Sequence, residues 1–285
     1  MRYVINVIMK IKNQIWCLIP ARSGSKTIKN KNIYKLRGKE LIKYSVGFAK
    51  KSKLFDKIIF SSDSKKYYNI IKNYKDIEFH NRNKKISGDN STDLEVFINY
   101  IKLAKKKYNF LPKYFAHLRP TTPLRERKIV FRAIDKIKKC KRCTALRSVS
   151  SMTNPSYKTM IIEKKRLCSI QGKRNLDNLN KPRQFFKQTY LPNGYIDILK
   201  TETILKKSFH GNNVLPFIVD QFNSDIDDLN DIFKVETFLK KNNVFYEIIA
   251  EVQNETFEIE KTFSLKIKEL HNYNNQWYKD YNAIN

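Results

Sequence analysis

Short apolar runs alternate with amphipathic segments along the first half of the chain. Residues 15–20 form a compact apolar run closed by a proline, which predicts a buried strand that enters a loop. Residues 39–52 carry apolar side chains at helical spacing, and residues 57–61 predict the next strand. Because strand, helix and strand follow one another at this pitch, the pattern predicts a parallel sheet with right-handed crossovers.

The same alternation continues further along the chain. Strands are predicted at residues 77–79, 114–118, 143–149 and 214–219, and helices at residues 67–74, 92–104, 126–138 and from 229 onward, the last with Leu229, Ile232, Phe233 and Phe238 as its apolar side chains. Thr92 and Glu95 form a capping box at the start of one helix. The expected fold class is therefore α/β, with a mainly parallel central sheet flanked by helices.

The domain organisation follows from the places where this alternation stops. We expect one main domain over residues 15–245, preceded by an N-terminal extension, residues 1–14. Within the domain, residues 150–200 break the alternation, because proline, asparagine and glycine punctuate short β segments there. Residues 246–285 form a tail without assignment, in which residues 259–270 favour a helix.

The loop after the first strand combines cations with small residues. Arg22 and Lys26 flank Ser23, Gly24 and Ser25. Small residues let backbone N–H groups approach an anion, and the cations neutralise it, so this loop suits a polyphosphate. It has neither the Walker spacing nor the GxGxxG pattern. Composition alone favours a solvated basic turn over a polyphosphate site.

The net charge indicates anionic partners. The chain has 57 Lys+Arg against 27 Asp+Glu, a formal charge of +30. Nucleic acid, nucleotides and sugar acids are all candidates, and the basic residues are spread over the whole chain. No recognisable nucleic-acid-binding module is present. We therefore expect no specific nucleic-acid partner.

Cysteine usage and hydropathy predict the compartment. Four cysteines, at positions 17, 140, 143 and 168, do not make a disulfide framework in 285 residues, so reduced thiols are expected. No apolar run approaches the ~20 residues that span a bilayer. Residues 1–11 are too short and too interrupted for a signal peptide, and both Met1 and Met9 are candidate starts. We expect a cytoplasmic protein without a membrane partner.

Two acidic residues near the last predicted strand suggest a metal site. Asp225 and Asp227 are two positions apart, so in an extended segment their carboxylates point to one side. Two carboxylates in a strongly cationic chain suit Mg²⁺, with phosphate oxygens and water completing the coordination. The alternative is that Asp227 or Asp228 caps the following helix.

Four motifs occur in a fixed order, and together they resemble one family. They are residues 19–26 (IPARSGSK) with Lys31 and Asn32 after them, residues 119–125 (RPTTPLR), residues 192–194 (PNG) and residues 225–227 (DID). This set resembles the acylneuraminate cytidylyltransferases, the CMP-sialic acid synthetases. Arg82 and the Asp89 loop are similar to a further motif of that family. The resemblance covers residues 15–240 and implies a Rossmann-like nucleotidyltransferase fold.

The resemblance implies an activity and a role for each matching residue. The expected reaction joins CTP to a nine-carbon sugar acid with Mg²⁺ as cofactor, and it releases pyrophosphate. The implied catalytic residues are Arg22, Lys26 and Asp225; the implied nucleotide-binding residues are Arg22, Ser23, Gly24, Ser25, Lys26, Lys31, Asn32, Arg82 and Asp89; the implied substrate-binding residues are Arg119, Thr121, Lys158, Arg183, Asn193 and Gly194; the implied metal ligands are Asp225 and Asp227. A homodimer is implied, in which the 150–200 excursion lends Lys158 and Arg183 to the neighbouring site.

Three positions depart from the sialate pattern. Arg119 stands where the family segment QPTSPLR has glutamine, and Tyr195 and Asp197 replace residues near the sugar. These departures leave the sugar acid open: legionaminate, pseudaminate and 3-deoxy-manno-octulosonate are alternatives to N-acetylneuraminate. A basic nucleic-acid-binding protein and an inactive homologue are the other hypotheses.

Overall fold

The computed structural model describes residues 10–25, 27–172, 175–220, 222 and 224–241. The chain divides into two compact units, Met1–Phe238 and Leu239–Asn285. The fold below is that of the first unit. In the second unit only residues 239–241, the end of a helix, are described, and the helix expected at 259–270 lies outside the described residues.

Seven strands form the central sheet. The strands of the described residues are β1 (Lys10–Pro20), β2 (Lys35–Leu36), β3 (Lys39–Glu40), β4 (Lys57–Ser62), β5 (Ile77–Asn81), β6 (Phe110–His117), β7 (Ala145–Ser151), β8 (Met160–Glu163), β9 (Arg166–Ser169), β10 (Tyr190–Lys200) and β11 (Val214–Ile218). The order in the sheet is β11-β7-β10-β6-β1-β4-β5, while β2-β3 and β8-β9 form two small antiparallel sheets. Only β10 runs antiparallel to its neighbours in the central sheet.

Helices cover both faces of this sheet. They are α1 (Leu41–Ser52), α2 (Lys65–Ile71), α3 (Asp93–Tyr108), α4 (Arg127–Lys139), α5 (Thr201–Leu205) and α6 (Leu229–Lys241). In β1, Trp16 and Leu18 face a core cluster with α3 and α5, whereas Cys17 and Ile19 face a cluster with α1, α2 and α4. Because successive strand residues point to opposite faces, a continuous apolar run fits a strand that is covered on both sides. The predicted α/β fold is confirmed.

Local sequence signals predicted most of the helices at the positions where they lie. The capping box is present: Thr92 Oγ1 accepts from Glu95 N at 3.3 Å, and Glu95 Oε2 accepts from Thr92 N at 2.7 Å. The apolar face of α4 is buried, namely Ile129, Val130, Ala133, Ile134 and Ile137. None of the helices among the described residues is long and apolar enough to cross a membrane.

The helix expected from residue 229 is present as α6, on which Ile232 and Val235 are buried while Leu229 and Phe233 are 64% and 71% exposed. Two expectations were wrong. Residues 190–200, expected among the short β segments of the 150–200 excursion, form β10, an 11-residue strand inserted between β6 and β7. Cys140 and Cys143 form a disulfide rather than two reduced thiols, since the turn after α4 brings their Cα atoms to 5.6 Å; Cys17 and Cys168 are free and buried.

Candidate active site

A cavity of about 290 Å³ opens at the carboxyl ends of β1, β5 and β6, beside the start of α3. This is the edge at which parallel α/β sheets bind ligands. Its wall includes eight residues predicted for the site, namely Arg22, Ser25, Lys31, Asn32, Arg82, Asp89, Arg119 and Thr121. The fold therefore brings together residues that are up to a hundred positions apart.

The basic loop is anchored by an acidic residue that the sequence analysis did not assign to the site. Asp63 follows β4, and it accepts hydrogen bonds from the backbone N and the Oγ of Ser23, at 2.9 and 2.7 Å. Arg22 Nη1 donates to Gly88 O and to Asp89 Oδ1, both at 3.0 Å. Gly24 has open space around it. Lys26 lies outside the described residues, so its predicted role stays a prediction.

Arg82 is a buried cation at the cavity wall. It is only 7% exposed, and its Nε and Nη2 have no hydrogen-bond partner among the described residues. Burial lowers the pKa of Arg82, and the carboxylates of Asp63 and Asp93 oppose that shift. A buried, unpaired N–H group typically costs ~1–3 kcal/mol, so an anionic ligand that accepts from Arg82 would recover that energy.

Lys31 and Asn32 are tied to the polypeptide itself. Lys31 Nζ donates to the carbonyl oxygens of Ile226 and Asp227, at 3.1 and 2.9 Å, and lies 3.2 Å from Asp227 Oδ1. Asn32 Nδ2 donates to Arg22 O at 2.9 Å. Both side chains also line the cavity. Their observed contacts hold the basic loop and the acidic segment together, and their contact with a nucleotide stays a prediction.

The acidic segment is fixed beside the loop that follows β6. Ile226 N donates to Thr121 O at 2.8 Å, and Thr122 Oγ1 donates to Asp225 Oδ1 at 3.2 Å. The side chain of Asp227 is 82% exposed beside Lys31. Two carboxylates suit Mg²⁺ as hard oxygen ligands, and within the described residues no cluster of three or more metal-binding side chains exists. Neither Asp225 nor Asp227 is part of the cavity wall, and Mg²⁺ binding by the pair stays a prediction.

Gly194 has no side chain, and Asp225 and Thr122 occupy the space that a Cβ atom would need. Its φ is +65°, and a Cβ there would stand 2.7 Å from Thr122 Oγ1 and 3.2 Å from Asp225 Oδ2. The sequence analysis placed Gly194 in the substrate site; the contacts explain why a side chain does not fit. We expect Gly194→Ala to lower the free energy of unfolding by about 1–2 kcal/mol and turnover by at least ~10-fold, because Asp225 must shift.

Gly38→Ala is the matched control for this substitution. Gly38 also has a positive φ, +84°, but no atom lies within 4 Å of its Cβ position. It should reproduce the backbone strain without changing turnover. Thermal unfolding and a pyrophosphate-release assay measure both effects, and equal turnover in the two variants would contradict the packing argument.

Arg125, a residue of the RPTTPLR motif without an assigned role in the sequence analysis, fixes the loop around the cavity. It is 6% exposed and donates to the carbonyl oxygens of Arg119, Thr122, Gly194 and Tyr195 and to Ser45 Oγ. These acceptors belong to α1, to the loop after β6 and to β10. Only the folded chain brings them together, so no local sequence signal indicates this role.

Arg119 lies at the cavity wall between two carboxylates. Its Nη2 is 3.5 Å from Asp93 Oδ2 and 3.7 Å from Asp197 Oδ2. Asp93 is the first residue of α3 and lines the cavity as well, which the sequence analysis did not predict. Arg119 thus lies in the cavity wall and is also a partner of two acidic side chains.

Like Gly194, three further predicted substrate residues lie outside the cavity wall. Lys158 stands over the ring of Phe186 at 5.6 Å, and Arg183 is exposed. Asn193 is buried, and its Nδ2 donates to Ser150 Oγ and Val219 O. Within one chain these three residues do not join the site, and their contact with substrate stays a prediction.

Comparison with known proteins identifies the family of this chain. A family model described as "Cytidylyltransferase" matches residues 16–277. The chain belongs to the cytidylyltransferase family. The match supports the resemblance read from the motifs, and it extends beyond residue 245 into the tail that the sequence left unassigned.

Individual relatives are similar over most of this chain. An N-acylneuraminate cytidylyltransferase of Escherichia coli O18:K1:H7 is 32% identical over 82% of the chain, which spans 54% of that relative's length. A CMP-N,N'-diacetyllegionaminic acid synthase of Campylobacter jejuni is 28% identical over 79% of the chain and 94% of its own length. A solved CMP:2-keto-3-deoxy-manno-octonic acid synthetase complexed with CTP shares the fold, with a TM-score of 0.57 at 12% identity over 80% of this chain and 99% of that one.

Proposed function

We propose that this chain transfers the CMP group of CTP to a nine-carbon sugar acid and releases pyrophosphate. The observation that carries the proposal is the cavity wall, where three arginines from separate elements meet: Arg22 after β1, buried Arg82 with unpaired donors after β5, and Arg119 after β6. A cavity with cations from separate elements suits a triphosphate and a carboxylate together. The family membership agrees with this chemistry.

The reaction is an in-line displacement at the α-phosphorus. The anomeric hydroxyl oxygen forms a bond to that phosphorus, the bond from phosphorus to the bridging oxygen of the β-phosphate breaks, pyrophosphate leaves, and the hydroxyl proton passes to water. Arg22, Lys26 and Arg82 hold the triphosphate and stabilise the charge that develops on the leaving group. Arg119 and Thr121 orient the acid.

Mg²⁺ is part of the proposal. Asp225 and Asp227 would hold it, and when bound it neutralises charge on the phosphates. Lys31 keeps both residues in place through the backbone oxygens of Ile226 and Asp227. Because CTP is an intracellular nucleotide, we place the reaction in the cytoplasm.

A pyrophosphate-release panel tests the proposal. Four nucleoside triphosphates are combined with N-acetylneuraminate, N,N'-diacetyllegionaminate, pseudaminate and 3-deoxy-manno-octulosonate, each with Mg²⁺. We expect release with CTP alone among the nucleotides and the highest kcat/KM with a nine-carbon acid. Release without an acid, equal rates with UTP, or no release together with a salt-resistant, sequence-selective DNA complex would contradict it.

Legionaminate and pseudaminate are the alternative substrates within this function. The departure that favours them is Arg119, which adds a charge and a fixed fork of donors where the sialate pattern has an amide. The similarity to the Campylobacter jejuni legionaminic acid synthase supports the same alternative. The ranking of kcat/KM values in the panel separates these acids from N-acetylneuraminate.

We propose a homodimer with shared sites. Half of the exposed large apolar side chains among the described residues lie in the excursion, namely Met160, Ile162, Leu167, Ile170, Phe185, Tyr190 and Leu191. Exposed apolar surface on this scale is typical of an interface. Lys158 and Arg183 lie in the same segment, away from their own chain's cavity wall.

Mixing two inactive variants tests the shared site. Lys158→Ala and Asp225→Asn proteins should each be nearly inactive. After full exchange an equimolar mixture should regain about a quarter of the activity, because half of the dimers are hybrids and each hybrid has one intact site of two. Subunit exchange is verified by mass spectrometry of differently tagged chains. Complete exchange without recovery of activity would contradict the shared site.

A further inference from the structure

Asp197 is a buried carboxylate that lies directly behind Arg119. It belongs to β10, and its side chain is 4% exposed. Oδ2 faces Arg119 Nη2 at 3.7 Å, His117 Nδ1 at 3.8 Å and His210 Nε2 at 3.8 Å. Oδ1 faces Arg147 Nε at 3.9 Å. A buried carboxylate is costly without compensating partners, so this convergence of donors is what stabilises it.

Two of the groups around Asp197 also face Asp93: His117 Nε2 lies 3.8 Å and Arg119 Nη2 lies 3.5 Å from Asp93 Oδ2. Within the described residues, both ring nitrogens of His117, Nε2 of His210 and Nε of Arg147 have no hydrogen-bond partner. Their separations from Asp197 exceed the ~3.2 Å limit of a direct hydrogen bond. The cluster is therefore held by charge and packing, unlike the fully hydrogen-bonded network around Arg125.

Asp197 stays ionised in this environment. Burial by itself would raise its pKa, but His117, His210 and Arg119 lower the pKa of this carboxyl well below its usual range. A permanent negative charge thus lies 3.7 Å from the guanidinium of Arg119. The charge is shielded from solvent, so its attraction for Arg119 is stronger than that of an exposed carboxylate.

Arg119 is held at one nitrogen and open at the others. Asp93 and Asp197 both approach Nη2, from α3 and from β10. Within the described residues, Nε and Nη1 of Arg119 have no hydrogen bond or ion pair, although the side chain is 28% exposed at the cavity wall. A guanidinium fixed in this way presents the rest of its fork to a ligand with little loss of side-chain entropy on binding.

We propose that Asp197 is a positioning residue that sets affinity for the sugar acid by fixing Arg119 at the cavity wall. This inference rests on the proposed function. The proposal connects two departures from the sialate pattern, Arg119 and Asp197. An arginine at position 119 needs a carboxylate beside it, and Asp197 supplies that carboxylate. The group of the sugar acid that Arg119 binds in this proposal is a carboxylate or a pair of acceptor oxygens.

A double-mutant cycle tests the inference through two Michaelis constants. Asp197→Asn should raise the KM for the best acid of the panel by about 10-fold, the loss of one charge-assisted contact, and leave kcat and the KM for CTP within about twofold. Arg119→Gln should have a similar effect. In the Arg119→Gln background, Asp197→Asn should change the KM for the acid by less than about twofold, because the residue it acts through is gone.

Arg147→Gln is the matched control. Arg147 contacts the other oxygen of Asp197 and does not line the cavity, so its loss should leave the KM for the acid within about twofold. Additive effects of Asp197→Asn and Arg119→Gln, or an equal rise in Arg147→Gln, would overturn the inference. A rise in the KM for CTP alone would do the same.

The proposed function is judged first, on the unsubstituted chain. If that chain releases no pyrophosphate with any acid, the proposed function fails, and the same cycle is then measured by calorimetric binding of N-acetylneuraminate and by the unfolding midpoint. Non-additive changes in both the dissociation constant for N-acetylneuraminate and the unfolding midpoint would still support positioning of Arg119 by Asp197. Additive changes, or no binding that depends on Arg119, would overturn it.

Discussion

Asp225→Asn is expected to lower turnover by about 10³-fold, the scale of a lost charge contact in a transition state, with an unchanged melting temperature. Asparagine keeps an acceptor for Thr122 Oγ1 and has the same shape, so the loop after β6 should remain in place. The change removes the negative charge through which Asp225 is proposed to bind Mg²⁺. Turnover should therefore fall while folding does not.

A titration and a control variant distinguish the loss of Mg²⁺ binding from the general effect of removing a negative charge. Calorimetric titration of Mg²⁺ into the CTP complex should show weaker binding for Asp225→Asn. Asp135→Asn is the matched control, because Asp135 is an exposed carboxylate on α4 that is ion-paired with Lys139 at 2.7 Å. It should keep full turnover and unchanged Mg²⁺ binding. Near-normal turnover of Asp225→Asn at saturating Mg²⁺ would remove Asp225 from the catalytic residues.

The fold could be predicted where the signal is local. The apolar run of β1 and the Thr92 capping box each depend on neighbouring residues, and both elements are present. β10 could not be found in this way, because its place between β6 and β7 is set by pairing across the sheet. Pro192 and Gly194 within it are also typical of loops and turns.

The site shows the same division between local and distant signals. Arg22, Arg82 and Arg119 were found because each lies in a motif, and the fold brings all three to one cavity. Asp63 and Asp93 were not assigned to the site, because their partners, Ser23 and Arg119, are distant in sequence. Supporting residues of this kind are visible only when the chain has folded.

Arg125 is the supporting residue with the largest expected effect on stability. Arg125→Met should lower the free energy of unfolding by about 4 kcal/mol, because each buried acceptor left without a donor costs ~1–3 kcal/mol. The substitution leaves the carbonyl oxygens of Arg119, Thr122, Gly194 and Tyr195 without this donor in a buried region. Burial lowers the pKa of Arg125 to about 10, so the guanidinium is still charged at neutral pH. Denaturant unfolding followed by circular dichroism measures the change.

Two controls show whether geometry or charge is responsible. Arg127→Met removes an exposed arginine two positions away with one backbone acceptor, Ser52 O at 2.9 Å, and should cost less than ~1 kcal/mol. Arg125→Lys keeps the charge but cannot reach all five acceptors, so it should fall between Arg127→Met and Arg125→Met. If Arg125→Lys is as stable as the unsubstituted chain, charge alone accounts for the effect. If it is as unstable as Arg125→Met, the forked geometry of the guanidinium donors holds α1, β10 and the loop after β6 together. The cavity that carries Arg119 and Thr121 then depends on that geometry.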